Sequence, residues 1–366
     1  MWQRRDFLRA AGAGFAAGLL PRRALALERA ELVFASAVQT GDSTFGAALV
    51  TDRGDVLSTI GLPDRGHDIT FSPTTGEAVI FARQPGTFAV VFDLKGDRAP
   101  ITLASRPDRH FFGHGVFSPD GRLLYVTEND FDDARGVIGI YDVAGGYARM
   151  GEFDTAGIGP HEVLLAPDGR TLVVANGGIE THPDYGRAEL NIATMDSSVS
   201  FIDLGDGHLR GQMRLDPALH QNSIRHMSFD RDGRAWFGCQ YRGPATDQPP
   251  LVGFATLDGD ITMVDLPPAV LSNLRNYVGS VAASADGSLI GVSSPEGDSV
   301  IAIDATTRNV VASQSLRDCC GLAPLEQGFL ATSGDGRMVG LADGAIEEHG
   351  FELFFDNHLR VVPSLL

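Results

Sequence analysis

Ten histidines stand in this chain, and five of them, His67, His114, His161, His226 and His358, recur at one point of a repeating pattern. Imidazole nitrogens ligate transition metals, exchange protons near neutral pH and hydrogen-bond to their neighbours, so imidazoles converging on one place have all three roles open to them. Read by repeat position, the residue pairs are His67-Asp68, Gly113-His114, His161-Glu162, Arg225-His226, Gly279-Ser280, Cys320-Gly321 and Asn357-His358. Successive strand residues point to opposite sides. The histidines occupy the first position of two pairs and the second of three, so they need not form one regular ring.

The repeat itself must position them. Residues 110–130, HFFGHGVFSPDGRLLYVTEND, read as a strand, a Pro-Asp-Gly turn and a second strand. Near copies occupy 66–82, 160–176, 225–239 and 279–294, a degenerate one lies at 320–333, and a last opening strand sits at 357–363. That strand has no room for a blade after it, so it is expected to pair with strands inside residues 31–60. Seven units of roughly 40 to 65 residues, each of about four short strands, predict an all-β chain, a seven-bladed β-propeller closed by pairing of N- and C-terminal strands. Closure removes the free sheet edges through which strands associate, so a monomer is expected. A short helix is expected at 267–276.

In such a fold the first strand of each blade lines the central channel, and the loop after the second strand rises on the face where that first strand begins. Those loops are long here, at 128–136, 176–196 and 240–250, and long loops on a rigid scaffold commonly form a binding surface. They would bring Glu180, His182, Asp184, Tyr185, Arg187, Glu189 and Asn191 around the histidines, with Arg106, Arg109 and His110 nearby. The candidate ligand-binding set is therefore His67, Asp68, His114, His161, Glu162, Arg225, His226, Asn357 and His358 at the mouth, and Glu180, His182 and Tyr185 above it. Of these, His114, His161, His226 and His358 are the candidate metal ligands. Histidines at inner turns can equally serve only the fold, by tying neighbouring loops together.

The chain opens with QRRDFLR, a short small-residue apolar run from 10 to 20 and Ala24-Leu25-Ala26, a small-x-small cleavage site. This pattern is expected of a twin-arginine signal over residues 1–26, delivering residues 27–366 folded to the periplasm as one domain. The apolar run is too short to span a bilayer, so no membrane span is expected after its removal. Loss of the leader's five arginines and one aspartate takes the formal charge from −18 to −22, which argues against nucleic acid and anionic lipid as partners. Three cysteines, Cys239, Cys319 and Cys320, do not make a disulfide framework, and whether Cys239 pairs is left open.

The runs FFGHGVFSPDGRLLYVTENDFD, GIGPHEVLLAPDGRTLVVANGGIETHPDYGR, LNIATMD, SIRHMSFD, WFGCQY, RNYVGSVA and DNHLR together resemble the bacterial domain-of-unknown-function family 1513 over nearly the whole chain after the leader. The resemblance implies a propeller similar to YVTN-type proteins and the quinoprotein amine dehydrogenase β-subunit. It also implies an exported accessory protein associated with imelysin-like iron-uptake proteins and di-haem peroxidase-like proteins. The reading of function that follows is a ligand- or partner-binding propeller in iron or haem uptake. Two enzymatic alternatives stand beside it. One is a metalloenzyme with a transition metal on channel imidazoles, as propeller imidazoles hold copper in nitrous oxide reductase. The other is lactonase- or quinoprotein-like chemistry, in which Glu162, Asp68 and Asn357 would offer oxygens to calcium. The sequence has no c-type haem attachment motif, phosphate loop or nucleophile elbow.

Overall fold

In the repeat turn, local chemistry dictates the chain path. Ser118 Oγ donates to Asp120 Oδ1 at 2.6 Å and accepts from Leu123 N at 3.0 Å, while Asp120 Oδ1 accepts from Arg122 N at 3.1 Å. Gly121 follows at φ +68°, in the left-handed region that a side chain would strain. Ser284, Asp286 and Leu289 repeat these bonds at 2.6 and 3.0 Å three blades later. Each turn thus folds a strand back on its predecessor in fixed register.

The computed structural model describes residues 21–342 and 348–363, with side chains from residue 25 onward. Their strands form seven antiparallel sheets, the blades of a β-propeller; six have four strands and the first has five. The innermost strands of blades 2 to 7 are Gly66–Phe71, Arg109–Phe117, Pro160–Leu165, Asn222–Phe229, Ser280–Ala283 and Cys319–Pro324. Apolar side chains fill the spaces between adjacent blades. Trp236, wholly buried there, keeps its indole N–H satisfied by donating to Asp230 Oδ2 at 2.7 Å.

The first blade draws on both ends of the described chain. Val33–Thr40 pairs with Phe45–Thr51 on one side and with Leu353–Phe355 and Arg360–Val361 on the other. Of the late strand expected at 357–363 only Arg360–Val361 forms, a further strand, Leu353–Phe355, lies before it, and residues 356–359 leave the ladder between the two. The helix is shorter than expected, Pro268–Asn273, because Arg275 and Asn276 take φ of +46° and +59° and end it. The expected leader lies outside the described residues as far as residue 20. Pro21–Arg29 is helical and buries Leu27 against blades 1 and 2. Among the described residues, no helix is long and apolar enough to cross a membrane.

The two-ended blade makes a direct prediction. A chain cut after residue 352 leaves Val33–Thr40 with an open edge, and open edges recruit other strands. Size-exclusion chromatography should show it self-associated, and its melt should lose cooperativity; a monomer melting with the full chain would show that this pairing does not hold the ring.

Candidate metal centre

The five histidines reach one place because four of the innermost strands break register beside them. Pairing with the second strand shifts between Gly66 and Ile69, Phe111 and Gly115, Pro160 and Glu162, and Ile224 and His226. A bulge adds a residue to one strand and re-aims its side chains, which is how histidines at alternate positions come to face the same axis. Blade 6 pairs without such a shift, blade 7 shifts between Cys319 and Leu322, and neither supplies an imidazole. His358 comes from the interruption in the first blade. Packing is close enough to dictate one neighbour: Gly113 sits at φ +103°, and a Cβ there would lie 2.5 Å from His67 Cδ2.

Together the rings form a cage. Centroids lie 4.7 Å apart for His67–His358, His161–His226 and His226–His358, 4.8 Å for His114–His358 and 4.9 Å for His67–His114, while His67 and His226 face each other at 6.1 Å. All five are at most 7% exposed, and the Nε2 atom of each is buried without a protein partner. Buried polar atoms are nearly always satisfied, so five orphans at one point call for a shared occupant. Ring nitrogens of His114, His226 and His358 lie within 4.8 Å of one another, as do those of His67, His114 and His161.

Carboxylates hold the opposite ring nitrogens. His67 Nδ1 is 3.4 Å from Asp356 Oδ1, His114 Nδ1 is 3.0 Å from Asp68 Oδ2, and His226 Nδ1 lies 3.7 Å from Glu162 Oε2. Carboxylates only accept here, so His67 and His114 carry the proton on Nδ1 and turn the Nε2 lone pair inward, the arrangement found behind metal-ligating histidines, whereas Glu162 stands beyond hydrogen-bond distance of His226 Nδ1. Arg360 ties the floor together: its Nε donates to Asp68 Oδ1 at 2.8 Å, and its Nη2 reaches Asp68 Oδ2 at 2.6 Å and Glu162 Oε1 at 3.0 Å. With their oxygens spent on Arg360 and on Met227 N, Asp68 and Glu162 are poor calcium ligands, and the donors left are nitrogens. Below this floor is a cavity of about 470 Å³ lined in part by Ile69, Val116, Leu164 and Leu322.

His161 differs from the others. Its Nδ1 lies 3.3 Å from Arg225 Nη1, and a guanidinium can only donate, so Nδ1 accepts and Nε2 carries the hydrogen. The cage thus offers lone pairs from the carboxylate-backed imidazoles and one N–H from His161.

Burial disfavours the charged form of four of the rings. It pushes His67 down to about 4 against the pull of Asp356, and carries His161 and His358 well below the usual imidazole range; His226 is lowered too, despite Glu162. Glu162 feels burial in the opposite sense, but His114, His226 and Arg360 overcome it and hold the carboxyl at about 2; Asp68 is held low chiefly by Arg360.

Not every candidate reaches the cage. Asn357 and Arg225 line the cavity above it. Glu180 sits at the base of the 176–196 loop, where its N–H donates to Asn191 Oδ1 at 2.8 Å. His182 caps a short turn and lies 3.4 Å from Asp132, and Tyr185 is exposed beside it, so both belong to the rim. His110 is satisfied within blade 3 by Phe111 O and Asn129 Nδ2. Arg106 pairs with Asp108, and Arg109 with Asp130. The loop expected at 128–136 shrinks to 131–134, because Tyr141 and Arg149 satisfy Glu128 and Arg135 satisfies Asp130, which lets both strands run on as Leu123–Asp130 and Arg135–Asp142. Likewise residues 240 and 241 end the strand Ala235–Tyr241. All three cysteines are free and buried. Asp356, Arg360 and Arg83 are site residues absent from the sequence-based set. Asp356 and Arg360 were within reach of a simple signal, standing two residues either side of His358.

Seven blades around a channel walled by five imidazoles define a β-propeller with a histidine-lined centre. Residues 60–362 match the family model described as Protein of unknown function (DUF1513), and the chain belongs to that family. No curated protein matches it in sequence. Among solved structures it is similar in fold to Kuenenia stuttgartiensis hydrazine synthase, at 15% identity and a TM-score of 0.60 over 85% of this chain and 95% of that one. It is also similar to a chain of a nidogen/laminin complex, at 10% identity and 0.53 over 91% and 100%. At these identities the likeness is one of fold alone.

Two outcomes follow from the electrostatics. Removing the cation in Arg360→Gln leaves Asp68 and Glu162 buried without their counter-charge and should cost about 3 kcal/mol in a denaturant melt; a cost under about 0.5 kcal/mol would show that the clamp carries no stability. Separately, the unfolded chain takes up imidazole protons below 6.5 that the folded chain refuses until about 4 at His67. Metal-free protein is therefore fully stabilised above this window and loses stability as pH falls through it, by about 1.4 kcal/mol per pH unit for each such histidine. Melting temperatures flat from pH 7 to 4.5 would contradict neutral buried rings.

Proposed function

We propose that this chain is a transition-metal-binding propeller whose cage of His67, His114, His226 and His358 holds a divalent first-row ion, with His161 as a hydrogen-bond donor beside it. The observation that carries the reading is the convergence of five buried Nε2 atoms without protein partners. Neutral imidazoles suit copper, zinc, nickel and iron, and among divalent ions copper is expected to bind most tightly. No thiolate competes, since burial raises Cys239 and Cys319 far above their ordinary value. Haem does not fit between the rings, whose neighbouring centroids lie only 4.7 Å apart for His161–His226 and His226–His358. Within the accessory role implied by the family resemblance, the cargo is therefore a bare ion rather than a porphyrin. The leader-like N-terminus supports an exported setting, where a folded protein could acquire metal from periplasmic iron-uptake partners.

Metal analysis of protein purified without a polyhistidine tag and reconstituted with copper, zinc, cobalt or ferrous iron should find about one equivalent. The double substitution His114→Gln and His226→Gln should lower affinity by about 100-fold or more, as expected when two of the ligands are lost. Less than about a tenth of an equivalent of every ion tested would overturn the reading.

A further inference from the structure

Directly above the cage lies a half-open cavity of about 310 Å³, floored by His67, His161 and His226. Its wall carries Arg83, Arg187, Arg225 and Arg242. Two carboxylates, Glu189 and Glu296, share the lining, and Glu189 is already paired with Arg242 at 3.0 Å. Among the described residues, Arg83, Arg187 and Arg225 have no carboxylate within ion-pairing distance. Arg225 is the telling case: it is 8% exposed, and its contacts are with neutral groups, Ser223 Oγ at 2.9 Å and His161 Nδ1. A buried cation left without a counter-charge is costly unless a ligand supplies one. Arg187 is held over the mouth by donating to Gln84 O at 2.9 Å, and burial together with Arg83 and Arg65 lowers its affinity for its own proton.

We infer that this chamber seats a small carboxylate anion, whose oxygens take the guanidinium donors and the His161 N–H while its lower end caps the cage. The inference deepens the metal reading by naming the class of molecule that meets the ion, and its charge argument stands on the chamber alone. Guanidinium forks match carboxylates in two-point contacts. The same wall repels a free cation, so metal reaching the cage from this side would arrive neutralised, as a complex with such an anion. Phosphate shares the donor requirement and is separated by the experiment.

Calorimetric titration of the metal-free full chain with oxalate, citrate and inorganic phosphate tests the site. The comparison is with the double variant Arg83→Gln and Arg187→Gln, which leaves the cage residues intact and is checked for an unchanged melt. A carboxylate should bind, more tightly than phosphate, and the variant should weaken it by about tenfold or more. Equal binding by the variant, no binding up to about 10 mM, or tighter binding of phosphate would overturn the assignment. Cobalt-loaded protein supplies the second arm: oxalate should shift its visible absorption in the parent chain and not in the variant. If cobalt fails to load while arginine-dependent carboxylate binding persists, the chamber stands and the metal reading falls; if cobalt loads and no anion binds, the reverse holds.

Discussion

The centre of this molecule depends on one guanidinium. Arg360 enters from the first blade and grips Asp68 of blade 2 and Glu162 of blade 4 in a single partly buried contact. Two carboxylates taken out of water this close together would repel one another and drive one to protonate. With Arg360 between them both stay ionised, and each backs an imidazole: Asp68 the Nδ1 of His114, Glu162 the side of His226. The order of cause runs from the clamp to the carboxylates, from the carboxylates to the tautomers, and from the tautomers to the lone pairs that face inward. Fold and site share this interaction, because the same strand that carries Arg360 completes the first blade.

Charge is layered along the channel as a result. An arginine-walled chamber opens outward, a layer of imidazoles lies beneath it, and a layer of carboxylates neutralised in part by Arg360 lies beneath that. A cation in the middle layer gains from the acids below, and an anion in the chamber gains from the arginines above. Each layer therefore selects the opposite sign to its neighbour, which a uniformly charged channel could not do.

Much of this was legible in the residues, and the limits have physical reasons. Repeat spacing and the Ser-x-Asp-Gly turn chemistry carry the seven blades, because those bonds are local. The histidine pattern carries the convergence, but not how it closes: alternation along a strand leaves the facing of the rings open, and the bulges that align them arise from pairing with a second strand, which no local pattern encodes. Glu128 and Asp130 looked like loop residues because charged side chains rarely continue a strand into the interior; partners as far away as Tyr141 and Arg149 made it possible. The arginines over the cage come from blade 2 (Arg83), blade 4 (Arg187) and blade 5 (Arg225 and Arg242), and only the closed ring brings them together.

The break in the ladder at residues 356–359 has a consequence in time. Asp356, His358 and Arg360 are separated from Asp68 by nearly three hundred positions, and the bond from Arg360 to Asp68 spans 292 of them. A chain emerging from the ribosome can fold the blades between, but it holds an incomplete cage until this last segment docks. Under the proposed metal reading, capture would become a record of finished assembly: an ion bound with His358 among its ligands would pin this segment to the blades made first, and a ring that has not shut would have nothing tight to offer the ion.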